Sequence, residues 1–84
     1  MSDEELRKAI SNRLKEERER LDMNQTALGD VGGVKKLSQI NYERGSSMPS
    51  ADYLAKVAAV GVDVLYVITG KRLAAGNTVS WMMS

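Results

Sequence analysis

Apolar residues recur at helical spacing along most of the chain, and capping and glycine residues divide it into five stretches. Leu6, Ile10 and Leu14 fall four apart and form one stripe, which Leu21 extends two turns later. Ser2 followed by Glu5 is a capping-box pattern, so a first helix is expected from Asp3 to Leu21. Within it, Lys15 to Arg20 (KEERER) reads as a solvated face with i,i+4 pairs such as Glu16–Arg20. Asp22 and Asn24 end this helix, and Asn24 is a good N-cap for the next. A short second helix is expected from Gln25 to Val31. Gly32-Gly33 then turns the chain, and a third helix runs from Lys35 to Arg44, stopped by Gly45. Ser50 caps a fourth helix over Ala51–Val60 with Leu54, Val57 and Ala58 facing inward, and Gly61 ends it. Asp63 caps a fifth over Val64–Thr69, closed by Gly70. The segment VDVLYVI (62–68) has the β-branched content of a strand, but no partner strand is on offer, so it reads as helix. The pattern predicts an all-α, compact five-helix domain over residues 1–70 and a tail over 71–84. Trp81, Met82 and Met83 in that tail have three open fates: packing across a dimer, docking on the domain, or disorder.

Composition narrows the chemistry. A chain of 84 residues supports a modest core, and without phenylalanine that core must be built largely from aliphatic side chains. Cysteine and histidine are both absent, which removes disulfides, thiol nucleophiles, imidazole bases and the usual zinc ligands. The carboxylates show no spacing that suggests acid–base work. The expectation is a protein that is not an enzyme, with no cofactor, no metal and no small-molecule ligand. No apolar run approaches the roughly 18 residues of a membrane span, and the acidic start MSDEELRK lacks a signal-peptide stretch. A cytoplasmic location without membrane contact is expected. The net charge of +1 is evenly spread, six bases against seven acids over residues 1–22. Any nucleic-acid surface must therefore be a local patch.

The segment Gln25 to Gly45, QTALGDVGGVKKLSQINYERG, carries the functional signal. A short helix, a glycine turn and a second helix of about ten residues make the helix-turn-helix pattern. Gly29 falls where the two helices would cross closely, Gly33 falls at the turn, and Val34 plugs the space between them. Leu28 and Val31 supply the inward face of the first helix. Ser38, Gln39 and Tyr42 lie at the rear of the second.

These residues resemble the helix-turn-helix of lambda-repressor-like (Cro/cI, XRE) regulators. The shared features are Gln25, the small Gly29, the turn Gly33-Val34 and the ending Tyr42-Glu43-Arg44-Gly45. RLKEERERL before the segment, Pro49-Ser50-Ala51-Asp52-Tyr53-Leu54 after it and the closing GVDVLYVITG complete a likeness over about residues 5–72. They look like the N-terminal domain of phage and prophage repressors. Two positions depart from the pattern. Gln39 stands where many members have Ile or Val facing the core, and Lys35 stands where Ser or Thr often begins the recognition helix.

The resemblance implies a lambda-repressor-like fold whose second and third helices form the helix-turn-helix. The third would lie in the major groove of double-stranded DNA. By the same likeness Lys35, Lys36, Leu37 and Asn41 would contact bases. Lysine suits guanine, asparagine adenine, and Leu37 the thymine methyl. Gln25, Arg44 and Ser46 would contact phosphates, and Leu28, Gly29, Gly33, Val34 and Tyr42 would pack the motif. The implied function is that of a transcriptional repressor or Cro-like regulator bound to a two-fold operator as a homodimer. The alternative is an antitoxin-like or anti-repressor module that uses the same fold to hold a protein, with Val79–Met83 as its natural contact.

Overall fold

The computed structural model describes residues 1–72; the tail with Trp81, Met82 and Met83 lies outside the described residues. Five helices follow one another: α1 (Asp3–Arg20), α2 (Gln25–Gly32), α3 (Lys36–Arg44), α4 (Ala51–Ala58) and α5 (Val64–Thr69). No strand occurs among the described residues, and residues 64–69 are helical as expected. No helix there is long and apolar enough to cross a membrane.

The helix starts are set by the side chains that the sequence offers. Ser2 Oγ accepts the Glu5 amide at 3.2 Å and donates to the Glu5 carboxylate at 3.0 Å. Asn24, Ser50 and Asp63 cap α2, α4 and α5 by accepting amides at 2.8–3.1 Å. Each cap satisfies a donor that the helix leaves without a partner. Acids in the first turn of α1 and Arg18 and Arg20 in its last turn complement the helix dipole.

Helix α1 lies against α3 and α5, while α2 lies against α3 and α4. Leu14, Leu28, Tyr53, Val57, Val62 and Val67 form the buried centre, with Ile10, Leu21, Met23, Val31, Val34, Tyr42, Leu54 and Val64 packed around it. The α1 stripe is truncated at its start, because Leu6 stands 42% exposed beyond the packed region. Helix α4 stops at Ala58 rather than Val60, and a tight turn through Gly61 follows. Ala58 is exposed, contrary to expectation. The inward face of α4 is centred on Tyr53 and Val57, one helical turn apart.

The largest departure from expectation is in KEERER. Glu17 is fully buried and Arg18 is 9% exposed, so this stretch is not simply a solvated face. The expected Glu16–Arg20 pair is replaced by others. Arg20 bonds both carboxylate oxygens of Glu17, at 2.8 and 3.0 Å, and Glu16 accepts from the Tyr66 hydroxyl at 2.6 Å. Glu17 also accepts the Asp63 amide at 2.8 Å and Arg72 at 2.7 Å. Arg72 reaches Asp63 as well and stacks 3.8 Å above the Tyr66 ring. One carboxylate thus fastens α1 to the start of α5 and to Arg72 beyond its end.

Bonding to Arg20, with further help from Arg72 and the Asp63 amide, outweighs burial and brings the Glu17 carboxyl down to about 2. A depressed carboxylate supports the fold fully above its ordinary value and loses that support as pH falls towards the depressed one. Urea midpoints are therefore expected to hold steady down to about pH 4.5 and to drop between there and about pH 2. Glu17 should contribute about 2 kcal/mol to that loss, less than the full shift implies. Arg20 and Arg72 are nearly half exposed, so solvent screens their pull. A midpoint that stays flat across this range would remove Glu17 as a stabilising contact.

Candidate nucleic-acid interface

The turn between α2 and α3 is built by two glycines acting in different ways. Gly33 adopts φ +79°, a left-handed conformation that closes α2. Its amide bonds Asp30 O at 3.1 Å, and the Val34 amide bonds Gly29 O at 2.8 Å. Gly29 permits the close approach of α3. A Cβ there would stand 3.1 Å from the Val34 carbonyl oxygen and 3.5 Å from the Gln39 Cβ. Leu28 is fully buried, Val34 is half-buried against the core, and the Tyr42 ring meets Tyr53 edge-on with centroids 5.0 Å apart. Gly29, Gly33 and Val34 thus shape the turn, while Leu28 lies in the core and Tyr42 packs against α4.

The back of α3 is polar, held by a buried network. Arg18 of α1 grips Glu43 of α3 with two parallel bonds, Nε to Oε2 at 2.7 Å and Nη2 to Oε1 at 3.0 Å. This fork-to-fork geometry is the strong form of the Arg–carboxylate pair. Arg18 Nη1 also caps the Met23 carbonyl oxygen at 2.9 Å. Gln39, fully buried, donates to Glu43 Oε2 at 2.7 Å and accepts the Tyr53 hydroxyl. Gln25 at the start of α2 donates to Glu43 Oε1 at 3.3 Å. Glu43 therefore collects donors from α1, α2 and α3, and through Gln39 reaches α4. Burial pushes the Glu43 carboxyl up, but the bonds from Arg18, Gln39 and Gln25 outweigh it and leave it lowered. Burial raises the Tyr53 hydroxyl well above the usual tyrosine range, so it stays protonated and donates.

This network explains Gln39 at a position where the resemblance led one to expect Ile or Val. Its amide nitrogen donates to Glu43 and its amide oxygen accepts from Tyr53, so each end of the buried amide has a partner. Gln39 lies at the rear of α3 as expected, while its partners Arg18, Glu43 and Tyr53 have no network role in the sequence reading. The departure at Gln39 was the visible signal. The pairing of Arg18 with a residue 25 positions away left no local trace.

The front of α3 is open. Gln39 and Glu43 face inward, and Leu37 and Asn41, also four apart, share the opposite side. Leu37 is 68% exposed, Lys35 and Lys36 are exposed, and Asn41 is half-buried. Lys35 is the N-cap of α3, one residue later than a helix start at Lys35 would require, and makes no side-chain cap bond. Of the expected phosphate contacts, Arg44 and Ser46 are exposed at the far end of α3, while Gln25 is half-buried with its amide turned to Glu43.

A family model described as helix-turn-helix matches residues 14–60, more than half of the chain. Comparison with curated proteins and comparison with solved structures find no match. The matched span runs from the core residue Leu14 through the whole α2–turn–α3 unit to the end of α4. The chain belongs to the Cro/cI-type (XRE) helix-turn-helix family, whose members bind DNA.

Proposed function

We propose that this helix-turn-helix domain is a sequence-specific transcriptional repressor of phage or prophage type, which reads a two-fold operator as a homodimer in the cytoplasm. The observation that carries this reading is the two-sidedness of α3. Its rear is fixed by the Glu43 network, and its front presents two lysines, Leu37 and Asn41. An exposed leucine directly after two lysines lies outside the packed core, whereas at a base edge it meets a thymine methyl. Lys35, Lys36, Leu37 and Asn41 are the base readers. Gln25, Arg44 and Ser46 hold phosphates, which position the protein without specifying sequence. One short helix reads few base pairs, so two copies on half-sites a helical turn apart supply useful specificity. The DNA-binding unit is residues 1–70, with 71–84 a tail.

Random-site selection with purified protein, followed by gel shifts on the selected and a scrambled duplex, tests this directly. Lys36→Ala should weaken binding to the selected site by roughly 1–3 kcal/mol and relax the preference at one base. Gln25→Ala should weaken both duplexes alike. Equal losses on both for Lys36→Ala would strip it of base reading. Binding that ignores added salt would argue for an apolar protein partner instead, because phosphate contacts weaken steeply with salt.

A further inference from the structure

The arginines of this domain fall into two sets. Arg13, Arg18, Arg20 and Arg72 are each engaged within the fold. Arg13 bonds the Val67 and Ile68 carbonyl oxygens, Arg18 bonds Glu43, and Arg20 and Arg72 bond Glu17. Arg7 and Arg44 make no ion pair or side-chain hydrogen bond among the described residues, and tertiary packing brings them together. With Lys8, Glu4 and Gly45 they line a groove of about 140 Å³ between the first turns of α1 and the end of α3. Three cations there face a single acid, against an even balance over the chain as a whole. At the same end of α3, Ser11 Oγ is buried and has no hydrogen-bond partner among the described residues. It lies 3.5 Å from where a Cβ on Gly45 would stand.

We propose that Arg7 and Lys8 join Arg44 in a phosphate-binding site that extends the grip on the DNA backbone beyond the base pairs read by α3. The proposal rests on the reading of α3 as the groove helix. Arg44 closes α3, eight residues after Lys36, so it stands about 12 Å along the helix axis from that reader. In this motif the N-terminal residues of the groove helix meet the base edges, so cations displaced by that length towards its C-terminal end are set apart from the base readers and suit the backbone. Arg7 and Lys8 precede the span matched by the family model, residues 14–60, so this grip is additional to the motif. Guanidinium forks suit phosphate oxygens, and an anion in the groove relieves the mutual repulsion of the three cations. The site would raise affinity for all sequences and leave the base preference to α3.

The test uses the full chain and a labelled mixed-sequence duplex, with binding followed by fluorescence anisotropy between about 50 and about 200 mM salt. The double variant Arg7→Gln/Lys8→Gln should flatten the slope of log K against log salt by close to 2, since each lost phosphate contact removes about 0.9. At about 0.1 M salt its affinity should fall by roughly 10–100-fold, on selected and scrambled duplexes alike. Lys71→Gln, at a cation that lines no part of this groove, should keep the parent slope. The double variant should also keep its melting temperature, because neither side chain makes a hydrogen bond or ion pair among the described residues. Parent slope and affinity in the double variant, or a lowered melting temperature that accounts for the loss, would overturn the proposal. If the unaltered protein binds no duplex at low salt, the reading of α3 falls first and this site falls with it.

Discussion

Replacing Glu43 by alanine is expected to cost the fold about 3–5 kcal/mol, because it strands a buried guanidinium. Arg18 is 9% exposed and directs both sides of its fork at Glu43. With the carboxylate gone, Arg18 keeps only the Met23 carbonyl oxygen, and the amides of Gln39 and Gln25 lose their acceptor. A domain of this size has a total stability of roughly 4–12 kcal/mol, so the loss takes a quarter or more of it and brings a domain at the lower end of that range to partial unfolding at ambient temperature. Urea unfolding followed by circular dichroism measures the loss. Arg18→Met/Glu43→Leu separates a stranded charge from a lost attraction. Two buried apolar side chains in place of the pair should recover the part of the loss that comes from the stranded guanidinium, since removing both charges also removes their desolvation cost, while the Gln39 and Gln25 amides stay without their acceptor. If the double variant is no more stable than Glu43→Ala, the pair is a net attraction and the stranded-charge account is wrong. If Glu43→Ala unfolds at the parent midpoint, the network holds nothing.

The contrast between α1 and α2 shows what a local pattern can reveal. Helix starts were legible because a cap acts within three residues. Ser2, Asn24, Ser50 and Asp63 each bond an amide three positions on, and all four were readable. The crossing at Gly29 was legible for a similar reason, as α2 and α3 are joined by a turn too short to allow other arrangements. KEERER misled because charge at helical spacing resembles a solvated face whether or not a distant partner exists. Glu17 finds Asp63, 46 residues away, and Arg18 finds Glu43, 25 away. The candidate base readers stood out because they lie on one short helix. The Arg7–Lys8–Arg44 groove stayed hidden because packing of α1 on α3 assembles it. Tyr53 was hidden by its neighbour. Of Leu54, Val57 and Ala58, expected inward on α4, Val57 is buried and Leu54 packs against the core, while Ala58 is exposed and Tyr53 fills the face in its stead.

The adjacent glycines 32 and 33 should respond very differently to alanine, although both were read as a single turn signal. Gly32→Ala is expected to destabilise by about 3 kcal/mol, the upper end of ordinary overpacking penalties. A Cβ at Gly32 would run into the Tyr53 ring at Cδ2 and Cε2. That ring has little room to yield. It is 1% exposed, its hydroxyl is bonded to Gln39, and Tyr42 packs against it edge-on. Gly33→Ala meets a softer obstacle, the Lys56 Nζ at 3.0 Å, which is the end of an exposed and flexible side chain. Its cost is the left-handed backbone at φ +79°, worth about 1–2 kcal/mol for a residue with a Cβ. Urea midpoints should rank the parent above Gly33→Ala, and Gly33→Ala above Gly32→Ala. Tyr53→Leu in the Gly32→Ala background should regain part of the loss by shortening the obstacle, giving a favourable coupling in a double-mutant cycle. Additive losses would mean that α2 and α4 are not in contact at this point. Because Gly32 sets how closely α2 lies on Tyr53, and Tyr53 holds Gln39 behind α3, the same variant should also weaken DNA binding in the fraction that remains folded.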